Sequence, residues 1–138
     1  MKLYLVRHGA AHAGGVDSER RLTDEGRADI TRLAALLARA GVRVERVVHS
    51  GKQRAFETAT LFAQELGADG RVEEIADGLS PDDSPQTMAD VIAGWDGDTM
   101  LVGHLPHIGR LTTQLIAGAD GRTVAMFSPG TVACLERM

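Results

Sequence analysis

The sequence predicts an α/β protein, a three-layer α/β/α sandwich around a mostly parallel central sheet. Short continuous apolar runs, clearest at residues 3–6 and 99–102, suit strands buried on both faces. Between them lie segments whose apolar residues recur at helical spacing. The two kinds of segment alternate along the chain, as crossover connections in a parallel sheet require.

Residues 3–6 form the first predicted strand, closed by a polar, glycine-containing turn. A helix over 23–40 follows, with Thr23 as its N-cap, Gly41 as its stop, and Ile30, Leu33, Ala34, Leu36 and Leu37 at apolar positions. Residues 44–48 read as the second strand. Ser50-Gly51-Lys52-Gln53 then has the form of a capping box, opening a helix whose face is Ala55, Ala59, Phe62, Ala63 and Leu66, with Gly67 after it. A short strand is expected over 72–75, and a helix from Ser84-Pro85 to about residue 94, since proline suits the first helical position. A strand over 99–102 and a helix over 105–117 ending at Gly118 come next. Residues 123–127 and 131–135 have the alternation of a hairpin around Ser128-Pro129-Gly130. Leu33, Leu36, Leu37, Leu61, Phe62, Leu66, Leu111, Leu115 and Ile116 are expected in the core. There is no internal repeat and no dividing linker, so residues 1–138 are expected to form a single domain.

Composition narrows the function classes. The formal net charge of −4 argues against broad affinity for nucleic acid or an anionic membrane surface. Arginine outnumbers lysine 13 to 2, which permits a local guanidinium-rich anion site within an acidic protein. The lone cysteine, Cys134, excludes an internal disulfide and a multi-cysteine metal site, and reads as a small core residue. The first residues become charged too early for a signal peptide, and no apolar run approaches the ~20 residues of a membrane span. A cytoplasmic protein is expected.

Open α/β sheets collect their sites at the carboxyl ends of strands. Three predicted strand ends carry unusual residues: Arg7-His8-Gly9, His49-Ser50 leading to Arg54, and Gly103-His104. Guanidinium groups grip phosphate oxygens in bidentate fashion, and a neutral imidazole among them is a competent nucleophile toward phosphorus.

With these residues in place, the chain resembles the histidine phosphatase superfamily, which includes the phosphoglycerate-mutase relatives. The signature is Arg7-His8-Gly9 after the first strand, Arg54-Ala55-Phe56-Glu57-Thr58 opening the second helix, and Gly103-His104 after a later strand; Leu22-Thr23-Asp24-Glu25-Gly26 adds the helix start. The small size and His104-Leu105-Pro106 are most similar to SixA-type phosphohistidine phosphatases. The resemblance implies a phosphoglycerate-mutase-like fold and a phosphatase needing neither cofactor nor metal. It makes His8 the nucleophile and places Arg7, Arg54 and His104 on the phosphoryl group, with Arg20 and Gly9 as further phosphate ligands and Arg21 as a rival to Arg20. Gly51 departs from the family, where many relatives have proline after the serine.

Ester-cleaving relatives use a carboxyl group to protonate the leaving oxygen, after the third strand or directly after the second histidine. Leu105 follows His104, which leaves Asp77, Asp82 and Asp83 as candidate general acids, none of them singled out. The bland alternatives are an Arg54 paired with Glu57 or Glu45, and acidic loop residues that are merely solvated. His8 with His12, or His104 with His107, has metal-ligand spacing, but the neighbouring arginines would repel a cation. His12 and His107 are expected at the rim of the site and His49 at a strand end.

A phosphoramidate P–N bond breaks without an enzyme acid when its imidazole is protonated. Only residues 68–98 separate the second helix from the strand over 99–102, which leaves little chain for a lid. The expected substrate is therefore phosphohistidine on a protein. The alternatives are a small phosphorylated substrate cleaved with a loop aspartate as acid, or a phospho-ligand-binding module without turnover. The intact His8 argues against the last.

Overall fold

The computed structural model describes residues 1–118 and 126–137. Its sheet has five strands in the order β3-β2-β4-β1-β5. They are β1 (Lys2–Arg7), β2 (Arg46–His49), β3 (Val72–Glu74), β4 (Thr99–Gly103) and β5 (Val132–Glu136). The first four run parallel, and β5 is antiparallel to β1. The helices are α1 (Asp24–Arg39), α2 (Gln53–Leu66), α3 (Pro85–Ile92) and α4 (His107–Ala117).

The continuous apolar runs reflect helices on both faces. Tyr4, Val6, Met100 and Val102 pack with Ile30, Ala34 and Phe62 on the α1–α2 side. The alternate residues Leu3, Leu5 and Leu101 pack with Met88, Ile92, Ile108 and Leu111 on the α3–α4 side. This is the expected three-layer α/β/α sandwich. Two helices are pinned by a partly buried ion pair, Arg27 to Glu57 at 2.5 Å, so Glu57 is not the partner of Arg54.

Several expected boundaries move. The N–H groups of Val44 and Glu45 donate to Leu66 and Asp98 carbonyls rather than to a ladder, so β2 begins at Arg46. Thr23 does cap α1, accepting the Gly26 N–H at 2.9 Å. Ser50 does not cap α2; Lys52 occupies that position without a side-chain bond. Leu105 precedes a proline, a position that disfavours helix, and α4 starts at His107. Of the expected terminal hairpin, residues 123–125 lie outside the described residues. Met126 and Phe127 are irregular, and β5 pairs with β1.

Three residues assigned to the core are exposed. Leu36 is 55% and Ile116 57% exposed, each on the outer side of its helix. Cys134 lies exposed on β5, an edge strand among the described residues, between the partly buried Ala133 and Leu135. No helix of the described residues is long and apolar enough to cross a membrane.

Candidate active site

The strand order sets β4 between β1 and β2, so the carboxyl ends carrying His8, His49-Ser50 and His104 are neighbours. The His8 N–H donates to the Gly103 carbonyl at 3.1 Å, tying the first of these ends to the third. Here a pocket of about 450 Å³ opens, and Arg7, His8, Arg20, Arg54 and His104 all line it. The uncharged Ala10, Ala11, Pro81, Leu105 and Pro129 also line it, with Asp17. A groove of about 490 Å³ elsewhere, lined by residues such as Leu3, Ile92 and Leu135, holds no histidine.

The loop bearing His8 is held from two sides. The Gly9 N–H donates to Thr58 Oγ1 at 3.1 Å, and Thr58 in turn donates to the Arg54 carbonyl at 2.8 Å. On the other side the Thr23 N–H donates to the Ala10 carbonyl at 3.0 Å. The first turn of α1 comes so close that a Cβ on Gly26 would lie 2.2 Å from that carbonyl oxygen.

His8 Nδ1 lies 2.7 Å from the Gly9 carbonyl oxygen. A carbonyl can only accept, so Nδ1 carries the proton and Nε2 presents its lone pair. That lone pair faces the Arg54 Nε–H at 3.4 Å. Burial, then repulsion from Arg54, Arg7 and Arg20, lowers the pKa of His8 to about 4, against the opposing bond to Gly9. The ring is neutral at pH 7.

His104 stacks obliquely on His8, with ring centroids 5.0 Å apart, and is 1% exposed. Burial, then the charge of His8 and of Arg54, lowers its pKa to about 3. Its Nε2 lies 2.6 Å from Ser50 Oγ, while its Nδ1 is buried without a partner. Ser50 Oγ also accepts the backbone N–H of Lys52 at 3.3 Å, which leaves its own proton available to Nε2. Donation from the Ser50 hydroxyl to Nε2 goes with the Nδ1–H tautomer of His104, in which that buried donor is unspent. Arg7 likewise donates from Nη1 to the Phe127 carbonyl at 3.0 Å and keeps a buried, unspent Nε–H. Arg7 and His104, both of which line the pocket, thus each keep a buried nitrogen without a partner, and donors on such residues suit an oxyanion.

The remaining expected residues divide. Arg20 lines the pocket while Arg21 is exposed, and Arg20 Nη1 donates to the His12 carbonyl at 3.1 Å. Gly9 is buried and outside the pocket lining, and its N–H, expected on the phosphate, donates to Thr58 and holds the loop. Asp77 and Asp82 are exposed and do not line the pocket. Asp83 accepts the Gly78 and Ser80 N–H groups at 3.1 and 2.9 Å, closing a turn that contains Pro81, a residue of the pocket lining. The expected rim positions of His12 and His107 do not hold: His12 is exposed off the pocket and His107 is fully buried. His49 ends β2, buried, and its Nδ1 accepts the Gly51 N–H at 3.0 Å. Gly51 has φ +92°, so proline could supply neither that angle nor that donor. Among the described residues, no three His, Cys, Asp or Glu side chains are grouped as metal ligands would be.

Two site residues escape the sequence reading. Ser50 reads as a cap but holds His104. Asp17, in a short 3₁₀ turn (Asp17–Glu19), lines the pocket and binds Arg54, with its carbonyl accepting from Nη1 at 2.8 Å.

The profile of the histidine phosphatase superfamily (branch 1) matches residues 3–82. The structure of the protein histidine phosphatase SixA complexed with tungstate superposes with a TM-score of 0.84 at 26% identity, over 97% of this chain and 86% of that one. A phosphoglycerate mutase from Bacillus anthracis shares the fold at a TM-score of 0.72 and 14% identity, over 96% and 86% of the two chains. Among curated proteins, the mitochondrial serine/threonine-protein phosphatase PGAM5 of Mus musculus is 32% identical over 71 residues. That match takes in 51% of this chain and 25% of the mouse protein, so this chain spans about a quarter of that relative. The family match over residues 3–82 carries the Arg7-His8-Gly9 and Arg54-to-Thr58 segments whose geometry builds the pocket, and the chain belongs to the histidine phosphatase superfamily.

Proposed function

We propose that this protein is a phosphatase that takes a phosphoryl group onto His8 Nε2 and then hydrolyses it, with phosphohistidine on a protein as substrate. Membership of the superfamily supports the phosphatase chemistry. The observation that carries the reading is the His8 ring: Nδ1–H is spent on the Gly9 carbonyl, and Nε2 is unprotonated inside an arginine-lined pocket.

In-line attack by Nε2 forms the new P–N bond as the bond to the leaving group breaks. Arg7, Arg54 and the His104 Nδ1–H take the equatorial oxygens. The positive charge of the two arginines serves the role that metal ions serve in other phosphoryl transfers, and the neutral His104 adds a hydrogen bond. Water then attacks phospho-His8, and the P–N bond breaks as the ring leaves neutral, its Nδ1–H still donated to the Gly9 carbonyl. The reading of a protein substrate is supported by Leu105 and Pro129, uncharged residues of the pocket lining that are exposed. The phosphomonoesterase reading needs a carboxylic acid at the leaving group. The three loop aspartates are exposed or engaged in a turn, and no observation favours that reading.

Rapid-quench labelling tests the intermediate. A ³²P-labelled phosphohistidine protein should leave an acid-labile, base-stable label on the wild type and none on His8→Ala. Equal labelling of both proteins would remove His8 as the nucleophile.

A further inference from the structure

An anion pocket contains a carboxylate. Asp17 lines the same pocket as His8, and three cations meet it: Lys52 Nζ on Oδ2, with Arg54 Nη2 at 3.3 Å and Arg20 Nε at 3.4 Å on Oδ1. The hydrogen bond from Lys52, then the charges of Arg54, Lys52 and Arg20, hold its pKa down at about 2. At pH 7 the carboxylate has no proton to give, so it is no general acid for an ester. Its side chain is 57% exposed, whereas Arg54 is 3% exposed, which sets it toward the mouth. Arg54 spans from one to the other, its Nε 3.4 Å from His8 Nε2 and its Nη2 3.3 Å from Asp17 Oδ1. One guanidinium group separates the nucleophile from the carboxylate.

We propose that Asp17 is the leaving-group residue of this site: its carboxylate accepts the distal N–H of the substrate imidazole and keeps that ring protonated as it departs. The inference rests on the phosphohistidine reading and deepens it. His8 Nε2 gives its lone pair to phosphorus, and the P–N bond to the substrate ring breaks. The electron pair returns to the substrate nitrogen. A ring that carries a proton on its other nitrogen leaves as neutral imidazole with no further proton transfer, whereas an unprotonated ring would have to leave as an anion. A carboxylate accepting that N–H favours the protonated ring, against the opposing charge of the three cations that also meet Asp17. His8 has the matching arrangement, its own distal N–H on the Gly9 carbonyl. The phosphoryl group thus passes between two imidazoles, each with its far nitrogen proton held by an oxygen. An alkyl phosphate needs a proton delivered to its leaving oxygen, and Asp17 offers only negative charge there. The charged groups facing Asp17 are Lys52 and Arg54 from the start of α2 and Arg20 from the end of its own turn; the titratable but neutral His104 faces it from beyond β4.

The test compares wild type, Asp17→Asn and Asp17→Glu on N-phosphoimidazole and on an aryl phosphate, whose leaving group needs no proton. In Asp17→Asn the ratio of kcat on phosphoimidazole to kcat on aryl phosphate should fall more than tenfold. The alkaline limb of the phosphoimidazole kcat profile should move down by about one pH unit, and Asp17→Glu should recover part of both. Aryl phosphate turnover reports that the variant is folded. Equal losses on the two substrates, with the limb unmoved, would overturn the proposal and leave Asp17 as a holder of Arg54. A wild type that cleaves the aryl phosphate but not phosphoimidazole would overturn the phosphohistidine reading, and this proposal with it.

Discussion

The nucleophile depends on His8 staying neutral, and acidification is the perturbation that tests it. Burial and three arginines take its pKa from 6.5 to about 4. At pH 5.5 an ordinary histidine is roughly nine-tenths protonated, whereas a group near 4 is only about 3% protonated. Nε2 should therefore remain available down to about pH 5. The same depression couples pH to stability. Between pH 6.5 and about 4 the unfolded chain holds a proton on this residue that the folded chain does not. Its contribution is complete above pH 6.5, declines as the pH falls, and is gone below about 4. The gap from 6.5 to about 4 corresponds to roughly 3 kcal/mol, of which about 2 kcal/mol is lost between pH 7 and pH 5. His104, lowered to about 3 by burial first, adds a loss of the same sign over a slightly longer range. The two rings repel each other when charged, so their losses do not simply add. The assay is a proton NMR titration of the His8 ring, assigned by comparison with His8→Gln, with urea denaturation at pH 7 and pH 5. A His8 midpoint near 6.5, with equal stability at the two pH values, would refute the argument.

Two further outcomes follow from the packing around the rings. Ser50→Ala should leave His104 Nε2 without its donor, mix the tautomers seen in nitrogen-15 shifts and weaken vanadate binding about tenfold, the effect of one lost hydrogen bond of about 1.4 kcal/mol; an unchanged tautomer would show that Ser50 does not set it. Gly26→Ala places a Cβ 2.2 Å from the Ala10 carbonyl oxygen and should cost about 1–3 kcal/mol in denaturant unfolding, and an unchanged midpoint would mean that α1 can back away without loss.

The parts of the site legible in the sequence are those written at strand ends. Arg7-His8-Gly9 and Gly103-His104 each follow an apolar run, and the turn after such a run has one place to go, the carboxyl edge of the sheet. Ser50 was legible as a residue and illegible as a role. Its local pattern matches a cap, but its hydroxyl is claimed by a ring 54 positions away. Asp17 had no periodic signal, since it lies in a glycine-containing loop between β1 and α1, and only the fold sets it against Arg54. Leu36 was misjudged because α1 has more leucines than its buried stripe can take. Ile30, Ala34 and Leu37 fill the stripe at spacings of four and three, and Leu36 falls outside it. Cys134 failed for a different reason: alternation sends it away from the partly buried Ala133 and Leu135, on a strand whose far side is bare among the described residues.

The spacing within Arg54-Ala55-Phe56-Glu57-Thr58 follows from the helix and the two tasks it performs. Residues four apart share a helix face, so Arg54 and Thr58 both look toward the end of β1. Arg54 sets its Nε–H on His8 Nε2, and Thr58 takes the Gly9 N–H from the same loop. The bond from Thr58 Oγ1 to the Arg54 carbonyl spends the hydroxyl proton and leaves the oxygen lone pairs to receive Gly9. Glu57, between them in sequence, turns to the α1 side and fixes Arg27. One helical turn thus positions the charge, the nucleophile's loop and the neighbouring helix together. Inserting a residue between Arg54 and Thr58 would rotate one of the two by about 100° and break either the contact to His8 or the support of Gly9. A single turn of α2 therefore holds the nucleophile's loop and its principal cation in register, while Gly103, Thr23 and Asp17 fix the two from the sides that α2 does not reach.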